Sequence, residues 1–317
     1  MDWDRLMATE HGGETMHGGH RVGVVIPARN EHRFIQDVLE RLPLFVDLAV
    51  VVDDGSTDGT AERARAAAST VNIEVIRLGG EGVGAAIDAG HRRLLEVWSE
   101  PFVSAVMAGD GQMDPDDLLR VIEPVTTGQA DHVKGDRSSD GFRGMPANRR
   151  GATVVLSFFT TLACGQRIRD PQCGYTATHR RVLANWDWAR SWRGYGYPNH
   201  WLIRLAGQGY RIAHVSVKSV YGDEVSGIVK RRFFLSVGWM MAVEHHRRNL
   251  QWLIPQRASW VSYLALTAYI SGWFAWATLP SAGWAASVVA VASWTTAHLF
   301  DRWAVVMRRK GARDEAI

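Results

Sequence analysis

The first 110 residues predict an α/β fold built on a doubly wound, mainly parallel sheet, and three observations carry that expectation. Strand-like segments recur at residues 22–26, 48–52, 73–78 and 102–107, the first two as unbroken apolar runs suited to strands covered on both faces. Stretches with apolar residues at helical spacing separate them, so four strand-to-helix steps follow one another. Glycine, aspartate and asparagine cluster where the strands end, and in open α/β sheets ligands bind outside those ends.

Each element has its own signature. Residues 22–26 (VGVVI) form a strand ended by Pro27, and the helix that follows opens near Asn30 and Glu31 and presents Phe34, Ile35, Val38, Leu39 and Leu42 on one face. The second strand runs into VVDDGSTDGT. There Asp53 and Asp54 stand at the strand end, Gly55 turns the chain, and Ser56, Thr57 and Asp58 are placed to cap a helix from about Thr60. After the third strand comes GGEGVGAAIDAG, residues 79–90. It is glycine-rich but has neither the Lys-Ser/Thr of a phosphate-binding P-loop nor GxGxxG spacing, so its small residues Gly84, Ala85, Ala86, Ala89 and Gly90 read as a helix packed close to the sheet beside a ligand.

The fourth strand delivers VSAVMAGDGQMDPDD, residues 103–117. Gly109 and Gly111 allow a sharp turn on either side of Asp110, and Asp114–Asp117 with Pro115 look like a helix start. Asp110 and Gln112 offer oxygen ligands two residues apart, a donor set suited to Mg²⁺ or Mn²⁺ holding a diphosphate. Acids that merely cap the following helix are the alternative reading.

Taken in order, IPARNE, VVDDGSTDGT and GDGQMDP resemble the nucleotide-binding half of glycosyltransferase family 2, which has the GT-A fold. The resemblance continues through HVKGDR (132–137), MPANRRG (145–151), RDPQCGYTA (169–177) and VYGDEVSGI (220–228), and within the family it is to the branch that transfers a sugar onto a polyprenyl or dolichyl phosphate. It implies a UDP- or GDP-sugar donor contacted by Pro27, Arg29, Glu31 and Gly55, with Asp53 or Asp54 at the base edge. It implies metal ligation by Asp110 and Gln112, an acceptor phosphate held by Arg137 and Arg149, and Asp170 near the sugar. One departure stands out: Ala108 replaces the aspartate usual two residues before Asp110, which leaves one protein carboxylate fewer for the metal. Tyr175 and the turn from Tyr195 to Tyr197 are candidates for a stacking wall or for core packing.

Relatives that glycosylate hydroxyls carry a general-base carboxylate near the counterpart of residues 198–201, where this chain reads PNHW. A phosphate monoester, with a second pKa of about 6, needs no base to become a nucleophile. The expected reaction is therefore inverting, metal-dependent sugar transfer to a polyprenyl phosphate. Transfer to a hydroxyl of a glycolipid or cell-wall precursor, and a catalytically silent membrane scaffold, are the alternatives.

The last third supplies a setting for a lipid acceptor. Residues 229–257 read as an amphipathic juxtamembrane helix, with Phe233, Phe234, Val237, Met240 and Met241 on one face and Lys230, Arg231, Arg232, Arg247 and Arg248 towards its ends. Residues 258–317 read as a transmembrane helical hairpin with a basic tail. Residues 259–279 are 21 without charge, close to the ~20 that span a bilayer, and 284–300 add 17 more after a turn at 280–283. Arg257 before it and Arg308, Arg309 and Lys310 after it place both ends, and the domain at 21–228, on the cytoplasmic side of a cell membrane. Residues 1–20 lack an apolar run and read as a mobile tail rather than a signal peptide, with His11, His17 and His20 solvated. The 317 residues are 46% hydrophobic with a formal charge of +3; the basic residues gather late, beside aromatics, which favours anionic lipid over nucleic acid as a partner. Two cysteines, Cys164 and Cys173, exclude a disulfide framework and a CxxC zinc site. Homo-oligomerisation is left open.

Overall fold

The computed structural model of the chain describes residues 17–218, 220, 230–253 and 259–314. Seven strands form one sheet: β1 (Arg21–Ala28), β2 (Leu48–Asp54), β3 (Asn72–Leu78), β4 (Phe102–Val106), β5 (His132–Asp136), β6 (Thr176–His179) and β7 (Ile212–Ser216). Their order is β3-β2-β1-β4-β6-β5-β7. β1 pairs in parallel with β2 and β4, β2 with β3, and β5 with β7, whereas β6 runs antiparallel to both β4 and β5. The mainly parallel sheet is as expected. Pro27, expected to end β1, lies inside it; it falls beyond the last β1–β4 pair, Val25 with Val106, so its missing N–H breaks no rung on that side.

Helices cover both faces because β1 and β2 alternate their apolar side chains between them. Val24, Ile26 and Val51 face α1 (Ile35–Glu40) and α4 (Leu118–Thr126). Val25, Val50 and Val52 face α3 (Val83–Val97), α6 (Arg180–Ala184) and α7 (Tyr197–Gly207). The close approach expected for the small residues of α3 is real: a Cβ on Gly90 would overlap Val25. A short helix α2 (Thr60–Arg65) flanks β3.

Beyond the sheet, α5 (Ala147–Cys164), α7 and α8 (Lys230–Leu250) share a further apolar core that includes Leu156, Cys164, Leu202, Ile203, Val237, Met240 and Met241. This corrects the reading of α8 as a helix laid on a membrane through that face. Val237, Met240 and Met241 are core residues, and Arg248 is buried rather than interfacial. The outward side of α8 is largely apolar as well between Phe234 and Val243, with Leu235 and Trp239 67% and 74% exposed, so over that stretch no polar face is set against the apolar one.

The helical hairpin is present: α9 (Trp260–Ala277) packs along α10 (Leu279–Asp314), which is broken at Gly283 (φ 58°), within the expected turn. Gly272 of α9 makes room for the Trp294 ring. Among the described residues, however, no helix is long and apolar enough to cross a membrane. Counting charges alone overstated this segment, because Trp260, Ser262, Tyr263, Thr267, Tyr269, Ser271 and Gly272 are uncharged without being strongly apolar. Of the expected tail, residues 17–20 form a small bridge, and the His20 ring meets His179 edge-on at 5.4 Å. His11, Arg257 and residues 221–228 of the VYGDEVSGI motif lie outside the described residues.

Candidate functional site

The loops after β1, β2 and β3 are fastened to one another by side chain to backbone hydrogen bonds. Asn30, in the left-handed region at φ 58°, donates its N–H to Ser56 Oγ (2.9 Å) and takes the Thr57 N–H on its side-chain oxygen (3.0 Å). The Glu31 N–H donates to Thr60 Oγ1 (2.9 Å) and the His32 N–H to Asp58 (3.1 Å). Asp58 also takes the Thr60 N–H, but the N-cap of α2 is Gly59, in the left-handed region and without a side-chain cap, so Ser56, Thr57 and Asp58 do not cap the helix as expected. Asp54 accepts the Glu81 and Gly82 N–H groups at 2.6 and 2.8 Å and so carries the glycine-rich loop; Arg29, more than half exposed, stands 3.9 Å from it. Gly55 has φ 75°, and a Cβ there would press on Gly79 and Gly80.

Asp53 differs from its neighbour. It is fully buried and takes the Ser56 N–H on Oδ1, while Oδ2 has no hydrogen bond and faces Arg77 Nε at 3.2 Å. Both carboxylates are thus engaged within the loops, Asp54 by backbone N–H groups and Asp53 by Ser56 and Arg77.

The Asp110 turn lies against the same loops. The Gly109 N–H donates to the Pro27 carbonyl (3.1 Å), and a Cβ on Gly109 would crowd Ala28 and Ile35. Gly111 has φ 73°. Asp110 is half-buried and accepts the Gln112 N–H at 3.0 Å. Among the described residues no three His, Cys, Asp or Glu side chains converge on a metal position. Asp110 and Gln112 therefore fit a cation that arrives with the oxygens of a diphosphate, the usual habit of Mg²⁺, better than one caged by protein alone. Ala108 is part-exposed. Ala108→Asp is expected to lower the Mn²⁺ concentration giving half-maximal turnover by roughly tenfold, read from metal titrations; no shift would place the cation elsewhere.

Two predicted residues turn out to be partners. Asp170 is fully buried and holds Arg137 through Nε (2.7 Å) and Nη2 (3.0 Å), so the arginine fork is fixed by a bidentate ion pair. Arg149 lies in the first turn of α5, exposed. Of the candidate stacking tyrosines, Tyr175 is buried with its hydroxyl donating to the Asp114 carbonyl (3.2 Å), and Tyr197 is buried with its hydroxyl on Asp88 (2.8 Å). Only Tyr195 is exposed. At the start of α7, Asn199 is fully buried between Gln172 and Thr160, and His200 is buried 4.0 Å from Glu244. Burial lowers the His200 pKa to about 4, with the Arg204 charge adding to the effect. Neither side chain is a carboxylate, and both are buried. Sequence reasoning missed the Asn30 fastening and Lys134, a buried lysine on β5 that carries no periodic signal.

A family model described as glycosyl transferase family 2 matches residues 23–186, more than half of the chain. Over 217 residues the chain is 27% identical to the UDP-N-acetylglucosamine–dolichyl-phosphate N-acetylglucosaminyltransferase of Methanococcus voltae, covering 63% of this chain and 86% of that protein. Over 222 residues it is 31% identical to the polyprenol monophosphomannose synthase of Mycolicibacterium smegmatis, covering 64% and 78%. Among solved structures, glucosyl-3-phosphoglycerate synthase from Mycobacterium tuberculosis, in complex with Mn²⁺, uridine diphosphate and phosphoglyceric acid, matches with a TM-score of 0.54 over 72% of this chain and 79% of that one. At 23% identity that likeness is one of fold.

Proposed function

The chain belongs to glycosyl transferase family 2 and is a glycosyltransferase, and from that premise we propose that it transfers a sugar from a UDP- or GDP-sugar to a polyprenyl phosphate at a membrane. The observation that carries this reading is α5. Arg149 and Arg150 stand in its first turn, and Val154, Val155, Phe158 and Phe159 are each at least half exposed beyond them. Arg150, Val154 and Phe158 fall four residues apart on one row of the helix, whereas Arg149 shares the row of the buried Thr153. One helix thus offers cations followed by an apolar surface, which matches an acceptor with an anionic head and a hydrocarbon tail. The outward side of α8 and the aromatic surface of the hairpin, where Phe274 and Trp284 are 74% and 80% exposed, extend that surface. In this reading they dip into the lipid, with the catalytic domain on the cytoplasmic side.

Pro27, Arg29, Glu31, Asp53, Asp54 and Gly55 hold the nucleotide. Asp110 and Gln112 are the ligands for Mg²⁺ or Mn²⁺, which when bound stabilises the leaving diphosphate. Arg149, together with Arg137 set by Asp170, holds the acceptor phosphate. A phosphate oxygen then forms its bond to the anomeric carbon on the face opposite the diphosphate oxygen whose bond breaks, which inverts the configuration. No proton has to be removed, so Asn199 and His200 suffice where a base would otherwise stand.

Transfer of radiolabelled sugar to a short polyprenyl phosphate, followed by mild acid, tests this reading. A labile product is expected, and an acid-stable glycoside made on a lipid hydroxyl would overturn it. Replacing both Phe158 and Phe159 by Asp is expected to raise the apparent KM for vesicle-borne acceptor by about tenfold or more, since each buried Phe contributes about 1.5–3 kcal/mol. Kinetics with a short soluble acceptor should barely change.

A further inference from the structure

A small pocket lies between α3, α7 and the sheet, bordered by Ile87, His132, Lys134, Gly174, Tyr197 and Pro198. It adjoins the site just described: Gly174 belongs to the loop that carries Asp170, and the segment leading into α7 is bonded to the glycine-rich stretch, with the Gly84 N–H donating to the Arg193 carbonyl at 2.8 Å. None of the residues that line it has a part in the transfer chemistry above.

Lys134 is one of only four lysines in the chain and is 1% exposed. Its ammonium donates to the Cys173 carbonyl, at the Gly174 rim of the pocket. Two nearby carboxylates are already matched by arginines, Asp170 by Arg137 and Asp136 by Arg169 at 3.4 Å. Among the described residues no carboxylate is paired with Lys134. The rest of the lining does not supply the missing charge: His132 Nδ1 is bonded to Thr178 Oγ1 at 2.9 Å, and burial holds its pKa well below the usual range, so it is neutral. Tyr197 is committed to Asp88. Burial lowers the Lys134 pKa to about 8, which still leaves the ammonium mostly protonated at pH 7.

Among the described residues Lys134 therefore has only a shared counter-charge, since the Asp170 carboxylate that acts on it is already paired with Arg137; a buried ammonium so placed is costly, and where it borders a binding cleft it marks a ligand position. The hydroxyls of a neutral hexose would leave its charge unmatched. A carboxylate would match it and accept its remaining N–H groups. Resting on the donor-site reading above, we propose that this pocket takes a carboxylate substituent of the transferred sugar, with Lys134 as its specificity residue, so that the donor is a nucleotide-linked hexuronic acid.

Equilibrium binding of donors needs no acceptor and so separates this inference from the choice of lipid. Detergent-solubilised full chain with Mn²⁺ is titrated with UDP-glucuronate against UDP-glucose, and with GDP-mannuronate against GDP-mannose, the comparison being made within the base that binds. The wild type is expected to hold the uronate about tenfold to a hundredfold tighter, the range for a hydrogen bond to a charged group. Lys134→Met should bring the two donors within about threefold while leaving the affinity for the bare nucleoside diphosphate unchanged. Three results overturn the inference: equal or weaker uronate binding by the wild type, a preference that survives Lys134→Met, or a nucleoside diphosphate that gains nothing from either sugar. Should Lys134→Met fail to fold, Lys134→Arg, which keeps the charge but moves it, must reduce the uronate preference; an unchanged preference again overturns the proposal.

Discussion

Asp110→Asn is expected to cut turnover by at least about a hundredfold while the protein melts like the wild type, because losing the carboxylate weakens the hold on the cation, and removing one stabiliser of the charge that develops on the leaving group costs about 10²–10³ in rate. The substitution is a narrow one. Asp110 Oδ1 accepts the Gln112 N–H at 3.0 Å, and an asparagine oxygen can do the same, so the turn between β4 and α4 keeps its hydrogen bond. Gly109 on Pro27 and Gly111 in its left-handed conformation are untouched. What disappears is the negative charge. With Ala108 where a second carboxylate would stand, and with no group of three metal-binding side chains among the described residues, Asp110 is the carboxylate of the pair proposed to meet the cation. Steady-state rates at saturating Mn²⁺, beside thermal melts, check this. Retention of more than about a third of wild-type turnover would falsify the assignment of Asp110 to the metal.

Much of the fold was legible because burial on two faces leaves a strong trace. The apolar runs of β1 and β2 are continuous, and the helix after β1 repeats apolar residues three and four apart, so these elements follow from period alone. Strand β6 left no such trace. It reads TATH, and its place between β4 and β5 comes from tertiary pairing rather than from propensity. The site was legible where a loop needs a particular residue, as at Gly55 and Gly111, and illegible where it depends on which partner a charge finds. Nothing in the spacing of Arg137 and Asp170 announces that they pair, and nothing about Lys134 announces that it is buried beside a carboxylate already taken by an arginine. The face of α8 chosen as membrane-bound was misread for a related reason, since an apolar stripe looks the same whether lipid or protein covers it.

The second large effect concerns the joint between α8 and the hairpin, where Asp301→Leu is expected to lower the melting temperature of the detergent-solubilised protein by roughly 6–20 °C. That range follows from a cost of about 3–5 kcal/mol for stranding one member of a buried ion pair, at about 2–4 °C per kcal/mol in a protein of this class. Arg248 and Asp301 are 4% and 2% exposed. The guanidinium donates to both Asp301 oxygens at 2.7 and 2.6 Å, and its Nε donates to the Ala163 carbonyl at the end of α5, at 2.6 Å. Without Asp301 the cation keeps a single carbonyl partner in a buried place. Gly165, at φ 66°, closes the same joint: a Cβ there would overlap the Asp301 carboxylate, so Gly165→Ala is expected to destabilise as well. The hairpin is thus fastened to the helix whose first turn carries Arg149 and Arg150. Replacing both partners, Arg248→Met with Asp301→Leu, removes the stranded charge along with its counter-ion and is expected to recover most of the lost stability. If Asp301→Leu melts within about 2 °C of the wild type, the pair holds nothing together and the hairpin is bound to the domain through apolar contacts alone.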